Sequence, residues 1–172
     1  MFIGKYKNDY KESGNEYVGS YYTLPFDKSE KTASGITNLA FAVFFAIAFL
    51  VMGMINQPSS RTLYVVLPYM FLFLPTMYFF FGAVRYFNSP VRMQRVDYKK
   101  GLVRMKNAAR GMLILLGMNV ILDIMFIFTH IGLYPMGREV VYLATHFVFA
   151  GLVIAYGVLY DRFYKGVQAD IN

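Results

Sequence analysis

The sequence predicts an all-α fold, a polytopic membrane protein built as a bundle of four transmembrane helices. Of the 172 residues, 57% are hydrophobic and 16% are charged, whereas soluble domains carry about 25% charged and 45–50% apolar residues. The apolar residues form four blocks, each near the roughly 20 residues that a helix needs to cross a bilayer. Almost all basic residues lie before the first block, between the second and third blocks, or after the fourth block. Together, these observations exclude an ordinary soluble domain.

The chain divides into three parts. A polar, tyrosine-rich arm covers residues 1–34 and is predicted to be irregular, with helix caps around residues 29–32. The transmembrane domain covers residues 35–165, and a short tail covers residues 166–172. No apolar stretch occurs in the first 34 residues, so a cleaved signal peptide is not expected. Within the domain, the predicted spans are 35–56, 62–87, 110–132 and 140–161, with a basic loop at 88–110.

The positive residues predict the orientation. All but two of the 17 Lys and Arg residues lie before the first span, around the loop 88–110 or after the fourth span. The other two connections hold one basic residue each, Arg61 and Arg138. The positive-inside rule therefore predicts a multi-pass protein of the cell membrane with both termini and the loop 88–110 in the cytoplasm. Anionic lipid beside this loop accounts for the net charge of +7, so no nucleic-acid partner is expected.

The loop 88–110 is a candidate site for anionic headgroups or a partner protein. Its apolar positions fall on one side of a helical template, which favours an amphipathic helix lying in the membrane interface. The alternative is a small hairpin that turns at residues 99–101. In both cases the candidate contacts are the basic side chains, namely Arg92, Arg95, Lys99, Lys100, Arg104, Lys106 and Arg110.

Polar residues inside the spans form the second candidate site. Asn119, Asp123 and His130 are spaced by four and seven residues, so a helix places them on one face. His146 lies at a similar depth in the fourth span. Because a charged Asp in the middle of a bilayer costs about 2.5–3.5 kcal/mol, we expect this face to point towards the fourth span. Asp123 is then expected to bond to His146 or Asn119.

The chemical role of these four residues has two interpretations. They are either polar contacts that hold helices together or a site that handles a proton, an ion or a substrate. Asp123, His130 and His146 include the residue types of a 2-His-1-carboxylate metal set. The compact motifs of metal, haem and nucleophilic sites are missing from the sequence, so no metal, no cofactor and no catalytic residue is predicted.

The leading functional prediction is a non-catalytic subunit, or an accessory or scaffold component, of a membrane complex. It would assemble with itself or with another membrane protein through the basic loop and the arm. One alternative is a small transporter or a channel-forming oligomer that uses Asp123, and another is a membrane-embedded enzyme with an Asp/His site. A deep pocket bounded by Asp123, His130 and His146 would favour these alternatives, whereas a packed core would favour the subunit.

Overall fold

The computed structural model describes Asp9 and residues 17–170. Its four long helices confirm the all-α prediction, and each of them is long and apolar enough to span a membrane. Their apolar side chains, such as Leu50, Ile121 and Val158, are largely exposed on the outside of the bundle, as expected for a surface that faces lipid. The helices are α1 (Lys28–Met54), α2 (Leu63–Phe87), α3 (Arg95–Tyr98), α4 (Arg104–Thr129) and α5 (Gly137–Tyr164). These features indicate a multi-pass membrane protein.

The long helices form a closed ring of neighbours. Helix α2 packs against α1 and α4, and α5 packs against α4 and α1. Short connections join α1 to α2 and α4 to α5, and the two helices of each pair are neighbours. Aromatic rings fill the middle of the bundle: Phe45 and Phe79 lie 4.9 Å apart, and Phe79 and Tyr156 lie 4.7 Å apart, both edge to face. This geometry is favourable for aromatic pairs and adds to the burial of their large apolar area.

Helix α1 begins before the predicted boundary at residue 35. Asp27 caps its first turn: an oxygen of Asp27 accepts from the Glu30 amide at 2.8 Å, and Glu30 accepts from the Asp27 amide at 3.2 Å. This reciprocal pair satisfies two amides that a helix start otherwise leaves free. Residues 29–32 therefore lie inside the helix and do not cap it. The last part of the predicted irregular arm is helical.

A three-stranded antiparallel sheet joins three distant parts of the chain. Strand β1 (Tyr21–Thr23) is central and pairs with both β2 (Arg92–Gln94) and β3 (Gln168–Asp170). The N-terminal segment, the central loop and the C-terminal segment thus meet at one end of the bundle, which we call the sheet end. The opposite end, formed by the connections at residues 55–62 and 130–136, is called the turn end.

The central loop is neither a separate interfacial helix nor a hairpin that turns at residues 99–101. Strand β2 is followed at once by α3, and a π-helical turn (Lys99–Val103) continues α3 into α4 without a break. Contact with α2 explains this extension. Gly101 lies so close that an added Cβ would be 3.3 Å from the Cβ of Tyr86, and Leu102 and Met105 are fully buried. Packing against α2 therefore extends the third helix well beyond its predicted start at residue 110.

Candidate functional site

Three of the four predicted intramembrane residues lie in the bundle interior. Asn119 and Asp123 are one turn apart on α4 and are fully buried, and His146 on α5 is fully buried as well. The four-residue spacing explains why the two α4 side chains share a face. None of the three faces lipid, because the inward face of each helix packs against its neighbours.

His130 does not join these residues, although the sequence placed it on the same face. Helix α4 ends at Thr129, so His130 leaves the helical register and is partly exposed. Its ring stacks on Phe126 with 4.2 Å between ring centroids, and its Nδ1 lies 3.0 Å from the Phe126 carbonyl oxygen. The set of two histidines and one carboxylate is therefore split between the interior and the surface of the turn end.

Glu139 is the functional candidate that sequence reasoning missed. It is the third residue of α5 and is fully buried. Its two oxygens accept from the backbone amide of Ser59 at 2.7 Å and from the Ser59 hydroxyl at 2.8 Å, which ties α5 to the α1–α2 connection. A signal was present in the sequence, since Glu139, Tyr142 and His146 recur at helical spacing and form the buried face of α5.

Asp123 does not form the expected hydrogen bond to His146 or Asn119, and its acidic neighbour is Glu139. The two carboxyl groups are close enough to interact, but their geometry falls outside that of a formed hydrogen bond, since both Asp123 oxygens lack a partner. His146 Nδ1 lies 2.9 Å from the Tyr142 carbonyl oxygen, and the Asn119 amide donates to the Leu115 carbonyl at 3.0 Å. These two residues thus contact carbonyls of their own helices.

The interior therefore holds several polar atoms without partners in the described part of the chain: both Asp123 oxygens, Asn119 Oδ1 and His146 Nε2. Buried polar groups are nearly always hydrogen-bonded, so such a cluster calls for a chemical explanation. Among the described residues, no three His, Asp or Glu side chains converge on one point as metal ligands. What the arrangement offers chemically is a pair of adjacent carboxyls that can share or exchange a proton.

The basic residues predicted to bind lipid or a partner lie mostly at the sheet end, and many have partners within the chain. Arg92 is the first residue of β2, Arg95 directly follows this strand, and Arg110 is exposed on α4. Because several of these cations are engaged internally, they stabilise the sheet end and are less available to lipid than in a mobile loop. The internal contacts are Arg92–Asp170 (3.5 Å), Arg95–Asp9 (3.7 Å), Lys106–Asp161 (3.1 Å) and Arg104 over the ring of Tyr78 (4.5 Å).

The chain matches no protein-family model, no curated protein and no solved structure at a significant level. Its function must be argued from its own residues.

Proposed function

We propose that the protein is a non-catalytic subunit or scaffold component of a complex in the cell membrane, with its docking surface at the sheet end. The observation that carries this proposal is the three-stranded sheet, in which the N-terminal segment, the central loop and the C-terminal segment form one ordered surface. Connections that serve only to link helices do not need such a sheet. A folded surface at one end of a membrane bundle suits recognition of another protein.

Two properties of this surface support docking. In the described part of the chain, β3 is an outer strand of the sheet, and an outer strand offers backbone groups to which a partner strand can pair. Gln168 and Ala169 of β3 are exposed.

The packed aromatic core around Phe45, Phe79 and Tyr156 supports a structural role, because these rings occupy the space that a path along the bundle axis would need.

Photo-crosslinking in native membranes tests the proposal. A photoreactive amino acid is placed at Gln168 or Ala169, and the matched controls carry it at Leu133 or Tyr134, which are exposed at the turn end. We expect discrete protein adducts from the two β3 positions and none from the controls. Absence of β3 adducts, or equal adducts from both ends, would contradict docking at the sheet end.

The buried carboxyl pair favours a second candidate function, a transporter or channel-forming oligomer in which Asp123 and Glu139 handle a proton. Two adjacent carboxyls in a low dielectric cannot both carry a charge at low cost, so such a pair tends to hold a shared proton. Glu139 accepts from two Ser59 donors, which favours its ionised form. Asp123 has no such donor, so the proton of the pair is better placed on Asp123.

Two substitutions separate the candidates. Asp123→Asn keeps the size of the side chain but removes ionisation, and Asp123→Leu also removes its hydrogen-bonding capacity. If Asp123 does not handle protons, Asp123→Asn retains the melting temperature and growth, and Asp123→Leu is at least as stable as wild type, because it removes a buried polar group that has no partner. If Asp123 handles protons, Asp123→Asn abolishes proton flux in proteoliposomes at an unchanged melting temperature.

A further inference from the structure

A cleft of about 900 Å³ opens at the turn end. Its walls come from the α1–α2 connection, the C-terminal end of α4 and the N-terminal end of α5. These parts of the chain lie where the helices end, which in a membrane is the level of the lipid headgroups. The cleft is separate from the sheet end, and neither Asp123 nor Glu139 lines it.

The cleft concentrates positive charge at an end of the protein that is otherwise poor in cations. Arg61 and Arg138 are the only Lys or Arg residues within residues 55–62 and 130–138, and both line this cleft. Arg138 donates to the Asn56 carbonyl at 3.0 Å, and this bond holds its side chain in place. The other guanidinium N–H groups can then contact a ligand. Paired guanidinium groups are well suited to bind phosphate oxygens in a bidentate manner.

The first turn of α5 adds to the positive electrostatic potential in the cleft. Helix α5 has 28 residues, and no side chain caps its N-terminus. Gly137 and Arg138, which begin the helix, both line the cleft. The free amides and the helix dipole at such an N-terminus favour an anion.

A buried polar group points independently to a ligand. Gln57 lines the cleft, although only 4% of it is exposed, and its Oε1 has no hydrogen-bond partner. The backbone of Gln57 is held in the loop, because its carbonyl accepts from the Ser60 amide at 3.2 Å and from the Ser60 hydroxyl at 2.6 Å. An unpaired buried amide oxygen costs free energy unless a donor such as a hydroxyl or an amine reaches it.

The remaining wall is aromatic and apolar. The rings of Phe126 and His130 are stacked, and that of Tyr134 lies 6.1 Å from the His130 ring. Val141 extends the apolar side towards the bundle. Such a wall suits the hydrocarbon part of an amphipathic molecule, whose polar head reaches the arginines and Gln57.

We propose that this cleft binds a phosphate ester that carries a hydroxyl or amine donor beside the phosphate. Arg61, Arg138 and the N-terminus of α5 contact the phosphate, and Gln57 Oε1 accepts from the hydroxyl or amine. Two sources supply this chemistry, namely the headgroup of a membrane phospholipid and a soluble phosphate ester. Binding at this site is independent of the docking proposed for the sheet end.

The test uses the full-length protein in phosphatidylcholine nanodiscs. In one arm, native mass spectrometry measures binding of phosphatidylglycerol against phosphatidylmethanol, which keeps the charge but lacks the headgroup hydroxyls. In the other arm, titration calorimetry measures binding of glycerol phosphate added to the buffer. The variants are Arg61→Gln with Arg138→Gln, Arg61→Gln alone, and Gln57→Leu. Arg110→Gln, which removes an exposed arginine at the sheet end, is the matched control.

We expect the double arginine variant to weaken binding about tenfold or more, because charge-assisted hydrogen bonds to the phosphate are lost. Arg61→Gln alone keeps the Arg138 contact to Asn56 and should weaken binding at an unchanged melting temperature. Wild type should prefer phosphatidylglycerol to phosphatidylmethanol, and Gln57→Leu should remove this preference.

Arginine-dependent binding seen only in the lipid arm assigns the site to a phospholipid headgroup, and the same dependence with glycerol phosphate assigns it to a soluble ester. No binding in either arm would overturn the proposal. The proposal would also be overturned if the double variant bound as tightly as wild type, or if Arg110→Gln lost as much affinity as the double variant. Either result means that only general electrostatic attraction acts.

Discussion

The two ends of the bundle treat their buried polar groups differently. At the sheet end, polar side chains pair across helices: the Tyr86 hydroxyl lies 2.7 Å from the Ser34 hydroxyl, and the Asn38 amide donates to the Tyr164 hydroxyl at 2.7 Å. Towards the turn end, Asp123 has no formed hydrogen bond. Cross-helix pairs stabilise a bundle, whereas unpaired buried groups cost free energy. The sheet end is therefore stabilised by polar contacts between helices, whereas the interior towards the turn end retains unpaired polar groups.

Charged groups also have different partners at the two ends. At the sheet end, the buried Lys31 ammonium donates to the Phe87 carbonyl at 2.7 Å, at the C-terminus of α2 where a helix favours a cation. At the turn end, Glu139 accepts from Ser59, and Arg138 donates to the Asn56 carbonyl. The connection between the first two helices is thus held to α5 by two charged side chains, of which only Glu139 is buried. Three experiments test this comparison, from the largest expected effect to the smallest.

Labelling of single cysteines tests which end faces the cytoplasm, and the expected effect is all or none. Cysteines at Gly137 and at Asn107, both exposed, lie towards the turn end and the sheet end respectively. The charge distribution predicts that an impermeant thiol reagent labels Gly137→Cys in intact cells, while Asn107→Cys reacts only after the membrane is broken. Ser59 is unsuitable because it is buried against Glu139. The reverse pattern would refute the orientation.

Replacement of Glu139 should give the largest loss of stability. Glu139→Leu leaves the Ser59 amide and hydroxyl without an acceptor in a buried position, which costs about 2–3 kcal/mol. Glu139→Gln keeps one acceptor and should lose about half of that. The measurement is the melting temperature in detergent, with Asp161→Asn as an exposed-acid control that loses only the Lys106 pair. A Glu139→Leu variant as stable as wild type would show that the turn end is not held in this way.

Loss of one cross-helix pair at the sheet end should have a smaller effect. Tyr86→Phe and Ser34→Ala each remove the same hydrogen bond and should cost about 1 kcal/mol. The double variant should cost little more than either single variant, because the two residues share one interaction. Tyr78→Phe, which alters a half-exposed tyrosine on the same helix, is the control. Additive losses measured by thermal unfolding would mean that the two hydroxyls act independently.

Much of the bundle was predictable because its causes are local in the chain. Four apolar blocks define the helices, and short connections define which of them are neighbours. The capping pair of Asp27 and Glu30 was present in the sequence but was overlooked in favour of residues 29–32. Strands β1, β2 and β3 were not predictable, since each has three residues and such short segments carry no periodic signal.

The candidate site was predictable only in part. Helical spacing was sufficient to place Asn119 and Asp123 on one buried face of α4. The proximity of Glu139 to Asp123 was not predictable, because it depends on how far α5 extends and on how α5 is rotated against α4. His130 was misplaced because the end of α4 at Thr129 removes it from the helical register.

The amino-acid sequence by itself determined that this protein has four apolar helices and that its positive charge lies mainly at one side. Hydrophobicity and charge act through composition and order along the chain, so no contacts need to be known. Only the tertiary structure decided that Glu139 binds Ser59, that three segments pair in one sheet, and that Arg61 and Arg138 line one cleft. Such pairings join residues about 70 or more positions apart, and they follow from the rotation and length of packed helices rather than from any local pattern.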